Sequence, residues 1–322
     1  MNEHTVRAVQ SFDIQYTILD VDNAFTKFFR ENAGFPKFKS KKKNKNSFAV
    51  PQNHKIEGGK LYIPKLKSGI KIVQHRKIKG LMKTLTISQS PSGRYFATIL
   101  VETEDNIVNP KRLIKKKTIG IDVGIKDFCT LSDGSKIDNP KHLSKSEQRL
   151  KKEQQRHSKK KTGSKNRDKT RVKVARIYEH IANQRKDFLH KLSSKVVREN
   201  QSVCIEDLNV QSMMKNHNLA KAIGDVGWGE FRRQLTYKTN WYGKNLIEIG
   251  RFEPSSQICN DCGWQNTNLS LSDRNWTCAG CNTEHDRDVN AAKNIKDMGI
   301  EKYRRNYGNL RLSDTTKVTK SG

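Results

Sequence analysis

Between residues 8 and 31 the apolar positions Val9, Phe12, Ile14, Ile18, Val21, Phe25 and Phe29 recur mostly three or four residues apart, which predicts an amphipathic helix. From residue 48 to 103 the pattern changes to short runs of alternating apolar and polar residues, with turn signals at Gly58-Gly59, Ser68-Gly69 and Pro91-Ser92-Gly93. Period two with such breaks predicts a small antiparallel sheet or barrel. A basic connector, NPKRLIKKK, leads into TIGIDVGIKDFCTLSDG, which reads as two strands joined by a tight turn at Gly124.

A second domain begins there. Residues 141–174 predict a helical hairpin broken near Thr162-Gly163-Ser164, and Val174, Ile177, Ile181, Phe188, Leu192 and Val196 mark one face of a long helix beyond it. A short strand, SVCIED, comes next, followed by a helix from Asp225 to Tyr242 with Trp228, Phe231, Leu235 and Trp241 available to pack. NLIEIGRF reads as another strand, and VNAAKNIKDMGI as a closing helix whose alanine-rich face can approach a sheet closely. Residues 302–322 are polar and expected to be a disordered tail.

Charge changes this picture. Sixty-three Lys and Arg stand against 33 Asp and Glu, a formal net charge of +30. Such a field binds polyanions by neutralising phosphates and releasing their condensed counterions, so nucleic acid is the expected partner. The cations are clustered: residues 141–174 carry 14 Lys and Arg against Glu147, Glu153 and Asp168, a local excess of +11. Lys159, Lys160 and Lys161 fall at the expected hairpin tip. A second run, PKFKSKKKNKNSF, sets Lys39, Lys41, Lys42 and Lys43 between Phe38 and Phe48, with Lys37 just before, and suits phosphates over lysines with a base stacked on a ring. A solvated loop is the alternative for either run. Arg232 and Arg233 add two adjacent cations on a predicted helix.

No apolar stretch approaches the roughly 18 residues needed to span a bilayer, and MNEHTVRAVQ has no apolar core of the signal-peptide kind. No membrane association is expected, and the protein is expected in the cytoplasm, associated with the nucleoid. Four of the six cysteines form two C-x-x-C pairs, Cys259 with Cys262 and Cys278 with Cys281, fifteen residues apart. That spacing is metal arithmetic and not a disulfide framework. Two such turns aim four thiolates at one ion and leave no ligand position for water, so a structural zinc ion is expected, with iron the alternative. Cys129 and Cys204 sit alone in apolar runs. His285 is read as a surface histidine.

Three carboxylates complete the inventory. Alternation in TIGIDVG puts Ile119, Ile121 and Val123 on one face and Gly120 and Asp122 on the other; in SVCIEDL it separates Val203 and Ile205 from Cys204 and Glu206. Asp288 opens the closing helix, where Asp is also a favoured cap. Each acid alone is ordinary. Their order, on a first strand, a later strand and a terminal helix, suits a phosphodiesterase whose two divalent ions, about 4 Å apart, need converging carboxylates from rigid elements. Unfilled, such a cluster repels itself, so at least one pKa should be raised. Asp127, Asp207 and Asp286 are the neighbouring acids set aside, the first two on the wrong face by alternation.

Together GIDVGIK at 120–126, IEDL at 205–208, WGEFRRQL at 228–235, FEPSSQICNDCG at 252–263 and HDRDVNAA at 285–292 resemble the TnpB (OrfB) proteins of bacterial and archaeal insertion sequences, relatives of the type V CRISPR effectors. The resemblance runs from about residue 15 nearly to 307, with a shorter N-terminus than such proteins usually carry. It implies an RNA-guided DNA endonuclease using Mg²⁺, with Asp122, Glu206 and Asp288 in the catalytic, magnesium-holding positions and Cys259, Cys262, Cys278 and Cys281 in the zinc positions. DNA and a guide RNA are the implied partners. The implied fold is α/β plus β: residues 1–116 a shortened helical and wedge-like β domain for nucleic acid, and residues 117–301 a RuvC/RNase H-like mixed sheet flanked by helices, with a zinc ribbon inserted at 252–287. A non-cleaving RNA- or DNA-binding zinc-ribbon protein and a guide-free, structure-selective nuclease are the competing readings.

Overall fold

The computed structural model describes residues 18–37, 46–64, 66–104, 108–251, 253–270 and 272–307. The chain divides into two compact units. One comprises residues 1–106 with 153–176, the other residues 107–152 with 177–322.

In the first unit, helix α1 spans residues 18–30. The earlier turns expected from Val9, Phe12 and Ile14 lie outside the described residues. Six strands follow: β1 (Asn46–Val50), β2 (Lys55–Glu57), β3 (Lys60–Tyr62), β4 (Ile70–Lys71), β5 (Leu81–Gln89) and β6 (Tyr95–Glu102). They form two antiparallel three-stranded sheets, in the orders β1-β5-β6 and β2-β3-β4. Val50, Leu61, Ile63 and Leu85 make the core, with Phe48, Ile56, Ile87 and Ile99 packed against it. Gly58 and Gly59 turn β2 into β3, both at positive φ (56° and 71°), a backbone region that residues with a Cβ avoid. Gly93 (φ 85°) does the same between β5 and β6. The alternation expected over 48–103 is thus realised as two sheets around one small core.

The second unit is built on a mixed five-stranded sheet. Strands β7 (Thr118–Val123), β8 (Asp127–Leu131) and β9 (Lys136–Asp138) run as an antiparallel meander. Helices α2 (His142–Ser158) and α3 (Lys165–Glu199) follow, and each crosses between the two units of the chain. After β10 (Ser202–Glu206) come α4 (Val210–Met213), α5 (His217–Val226), α6 (Trp228–Trp241) and β11 (Asn245–Ile249). A two-stranded ribbon, β12 (Asn275–Thr277) with β13 (Glu284–Asp286), precedes α7 (Arg287–Tyr307). Strand order is β11-β10-β7-β8-β9, with β10 parallel to both β7 and β11.

Alternation sorts the two faces as the sequence predicts. Ile119, Ile121, Val203 and Ile205 face Leu189, Leu192, Val196 and Val197 of α3, together with Ile223, Val226, Trp228, Phe231 and Leu235. On the other face Cys204, Ile247 and Ile249 pack with Ile295 and Ile300 of α7. Helix α7 lies so close to β7 that a Cβ on Gly120 would stand 2.7 Å from the Lys296 amide nitrogen and nearer still to the Ala292 carbonyl oxygen. Gly299 meets Cys204 in the same way.

Two expectations change. The helix expected from Asp225 to Tyr242 is divided, because Gly227 takes a left-handed conformation (φ 77°), closing α5 through its N–H to the Ile223 carbonyl and opening α6. The tail expected from residue 302 begins as helix, since α7 continues to Tyr307. Residues 308–322 lie outside the described residues. Among the described residues no helix is long and apolar enough to cross a membrane.

Candidate functional site

Four sulfurs come together in the segment between β11 and α7. The Sγ atoms of Cys259, Cys262, Cys278 and Cys281 all lie within 4.8 Å of one another. Cys259 and Cys281 are 3.7 Å apart, Cys262 and Cys278 3.5 Å. Ligands about 2.3 Å from a tetrahedral ion stand roughly 3.7 Å from each other, so the donor set fits a metal such as zinc. Gly263, at φ 80°, completes the first cysteine turn. His285 is not the surface residue expected: it is 7% exposed, its ring tilts on Trp276, and Nε2 lies 3.0 Å from Cys259 Sγ. Strand pairing between β12 and β13 draws it inward by setting it opposite Trp276. The remaining cysteines stand apart, Cys129 and Cys204 buried in the sheet with burial pushing each thiol to about 12.

The three expected acids come from the sheet and the helix that packs on it. Asp122 lies near the end of β7, Glu206 ends β10 and Asp288 lies in the first turn of α7. Burial drives the Asp122 carboxyl well above the ordinary carboxylate range, and the charges of Glu206, Asp288 and Asp286 raise it further against the opposing pull of Arg287. Burial also raises Glu206, partly offset by a hydrogen bond that its Oε1 accepts from Ser255 Oγ at 2.5 Å. Arg287 donates to Asp288 Oδ1 at 3.2 Å and Arg274 stands 3.7 Å from Oδ2. The trio is a looser set than the cysteines and is not among the groups whose ligand atoms close to within 4.8 Å. Acids that raise one another's pKa in this way repel while unfilled, the behaviour of carboxylates that share bound cations.

The helix cap falls to Asp286. Its Oδ1 accepts from the backbone N–H groups of Asp288 and Val289, at 3.1 and 3.0 Å, and its Oδ2 from Lys136 Nζ at 2.7 Å. Burial alone would raise this carboxyl, but the Lys136 and backbone donors hold it below its ordinary value. The Asp288 carboxylate is thereby free of the capping role.

Asp207 belongs to a different arrangement. Its carboxylate accepts from Arg232 and Arg251, while Arg232 also forks onto Glu248 through Nε and a second nitrogen. Arg233 forks in turn onto Glu230. These two arginines, expected to face nucleic acid, already have carboxylate partners within their own unit. A cavity of about 410 Å³ opens beside Glu206, with Asp207, Trp228, Phe231, Arg232 and Arg251 in its walls. Of the expected lysines, Lys37, Lys159, Lys160 and Lys161 are exposed; Lys39, Lys41, Lys42 and Lys43 lie outside the described residues.

Sequence reasoning missed the polar side chains that hold this site together: Ser255, Lys136, Arg274, Arg287 and the asparagines Asn260, Asn290 and Asn294. Asn290 and Asn294 carry one available signal, two asparagines on the buried face of an otherwise apolar helix stripe.

Comparison with known proteins bears on both halves of the chain. Residues 98–217 match the OrfB_IS605 family, described as a probable transposase, and residues 228–295 match the Cas12f1-like TNB domain. A Streptomyces pristinaespiralis protein described as an RNA-guided DNA endonuclease is 41% identical over 295 residues, covering 91% of this chain and 72% of its own. Escherichia coli InsQ, described in the same words, is 32% identical over 304 residues, 89% of this chain and 74% of its own. The cryo-EM structure of a Cas12f1–sgRNA–target DNA complex shares the fold, with a TM-score of 0.51 at 17% identity over 90% of this chain and 71% of that one. Matches of this identity and extent establish that the chain belongs to the OrfB_IS605, or TnpB-like, transposon-associated protein family.

Proposed function

We propose that this chain is an RNA-guided DNA endonuclease in which Asp122, Glu206 and Asp288 hold divalent metal for phosphodiester cleavage. The observation carrying this reading is the placement of the three acids: Asp122 lies near the end of β7, Glu206 ends the adjacent parallel β10, and Asp288 lies in the first turn of α7, which packs against β7, although the three are far apart along the chain. The relatives' description as RNA-guided DNA endonucleases supports the substrate class. The mixed sheet with helices on both faces supports a RuvC/RNase H-like nuclease domain, and the four-cysteine cluster supports an inserted structural zinc ribbon.

Bound divalent ions supply charge neutralisation and polarisation at the attacking and leaving oxygens. The chain's own residues set the geometry. Glu206 is fixed by Ser255, and Asp288 is steered by Arg287 and Arg274. Capping by Asp286 pins the first turn of α7. The exposed cations Lys159, Lys160 and Lys161 suit a duplex held by its phosphates, as expected where base pairing to a guide, and not the protein, reads the sequence. Residues 1–116, with their two small sheets, are assigned to the wedge-like nucleic-acid-binding part, and residues 117–301 to the nuclease part.

The test is cleavage by the full chain purified with its bound RNA. DNA matching the sequenced RNA should be cut in Mg²⁺ and left intact in EDTA, and Asp122→Ala should abolish cutting while RNA still co-purifies. Cutting that survives Asp122→Ala overturns the assignment, and cutting indifferent to the RNA leaves a guide-free nuclease.

A further inference from the structure

We propose that Ser255 is a positioning residue through which the four-cysteine cluster sets the reach of Glu206, so that the ribbon and the carboxylates are one mechanical assembly. The inference rests on the carboxylates being the metal-holding set proposed above.

The observations form a continuous path. Cys259 is flanked by Ile258 and Asn260, and both neighbours are tied to α7. The Ile258 carbonyl accepts from Asn290 Nδ2 at 2.7 Å and from Asn294 Nδ2 at 2.6 Å. The Asn260 N–H donates to Asn290 Oδ1 at 3.0 Å, and its Nδ2 donates to Asn294 Oδ1 at 2.9 Å and Asp297 Oδ2 at 3.0 Å. Asn294 Nδ2 also reaches the Ser255 carbonyl at 2.7 Å, and Ser255 Oγ donates to Glu206 at 2.5 Å. Asn290, Asn294 and Ser255 are 1%, 4% and 6% exposed. Amides buried to this degree are held by their partners, because leaving one unmade costs the full desolvation of that group.

Asn290 stands two residues after Asp288 on the same helix. The cysteine turn is therefore clamped to the helix that bears Asp288 and, through Ser255, hydrogen-bonded to Glu206 itself. Folding the cysteine cluster around its ion fixes the turn at 258–260, and that turn fixes two of the three acids relative to each other. Groups that orient a ligating carboxylate typically change metal affinity by about 10- to 100-fold when removed.

Mn²⁺ binding, followed calorimetrically on the full chain with its bound RNA and without target DNA, tests the path. Ser255→Ala is expected to keep zinc content and thermal midpoint while weakening Mn²⁺ about tenfold, and Ser255→Thr, which restores the hydroxyl, should recover most of it. Asn260→Ala, at a partly exposed position that spares every sulfur, should weaken Mn²⁺ about threefold, within the range of a lost hydrogen bond. Unchanged Mn²⁺ affinity in Ser255→Ala overturns the link. If Ser255→Ala loses zinc, Asn260→Ala decides alone. Mn²⁺ binding that ignores Asp122→Ala removes the carboxylate assignment, and the link with it; binding that needs Asp122 but not Ser255 removes the link only.

Discussion

Gly120 of β7 lies against the Ala292 carbonyl of α7 with no room between them for a side chain. The contact is backbone on backbone, so neither partner can swing aside. Gly120→Ala should therefore lift α7 from the sheet and cost about 1–3 kcal/mol or more, the usual penalty of overpacking. It should also impair cleavage more than stability alone accounts for, because Asp288 rides on that helix. Chemical denaturation and cleavage rates of the same preparation check both; a variant as stable as the parent contradicts the contact.

Asp122 gives a pH prediction of definite sign. Its folded-state pKa is raised by burial and by neighbouring acids, so the native state holds a proton more tightly than the unfolded chain. Without divalent ions, stability should fall as pH rises from the ordinary carboxylate range through the raised folded value. Asp122→Asn should then raise the thermal midpoint at pH 8 in EDTA, and Mg²⁺ should raise that of the parent but not of the variant. A midpoint for Asp122→Asn below that of the parent in EDTA contradicts the prediction.

Removing a sulfur should dismantle the ribbon. Cys278 is fully buried among the other ligands and Trp276. Cys278→Ser should lose the bound ion and with it on the order of 10 kcal/mol of local folding free energy. Metal content by mass spectrometry and limited proteolysis within 253–286 read this directly; retention of one zinc per chain counts against the ligand set.

Ion-paired arginines and the exposed lysines between α2 and α3 should behave differently. Replacing Lys159, Lys160 and Lys161 together by Ala should flatten the dependence of log affinity on log salt by about 2, near 0.7–0.9 per lost phosphate contact. Arg232→Ala leaves Glu248 without its arginine and Asp207 with Arg251 alone, so it should cost about 1 kcal/mol of stability, modest because these groups are partly exposed. Its salt slope should match the parent's. Binding titrations across a salt series separate the two classes, and a slope changed by Arg232→Ala would return that residue to the nucleic-acid surface.

Strands, helices and candidate ligands were legible because they follow local rules. Alternation assigned Ile119 and Val203 to one face and Asp122 and Glu206 to the other, and cysteine spacing marked the metal cluster. The helix break at Gly227 was not legible, since one glycine within an amphipathic pattern reads as tolerated until its left-handed backbone is seen. Nor was the division of roles between Asp286 and Asp288: both sit where a cap is expected, and the backbone donors of α7 together with Lys136, 150 positions away, show that Asp286 is the one anchored. The linear partition at residue 116 could not express that 153–176 group with the N-terminal unit. The asparagine ties between the cysteine turn and α7 depend on tertiary proximity, which periodicity does not encode.

Because Gly227 ends one helix and starts the next, α5 and α6 share a single residue of punctuation with no slack on either side. A peptide tag or fused module inserted there would have to unwind a turn of one helix or the other. The stretch from Lys159 to Gly163, between α2 and α3, is exposed throughout and spans several residues of non-helical chain. It is the junction at which an engineer could splice cargo while leaving both helices wound, at the expense of the lysines proposed to meet phosphates.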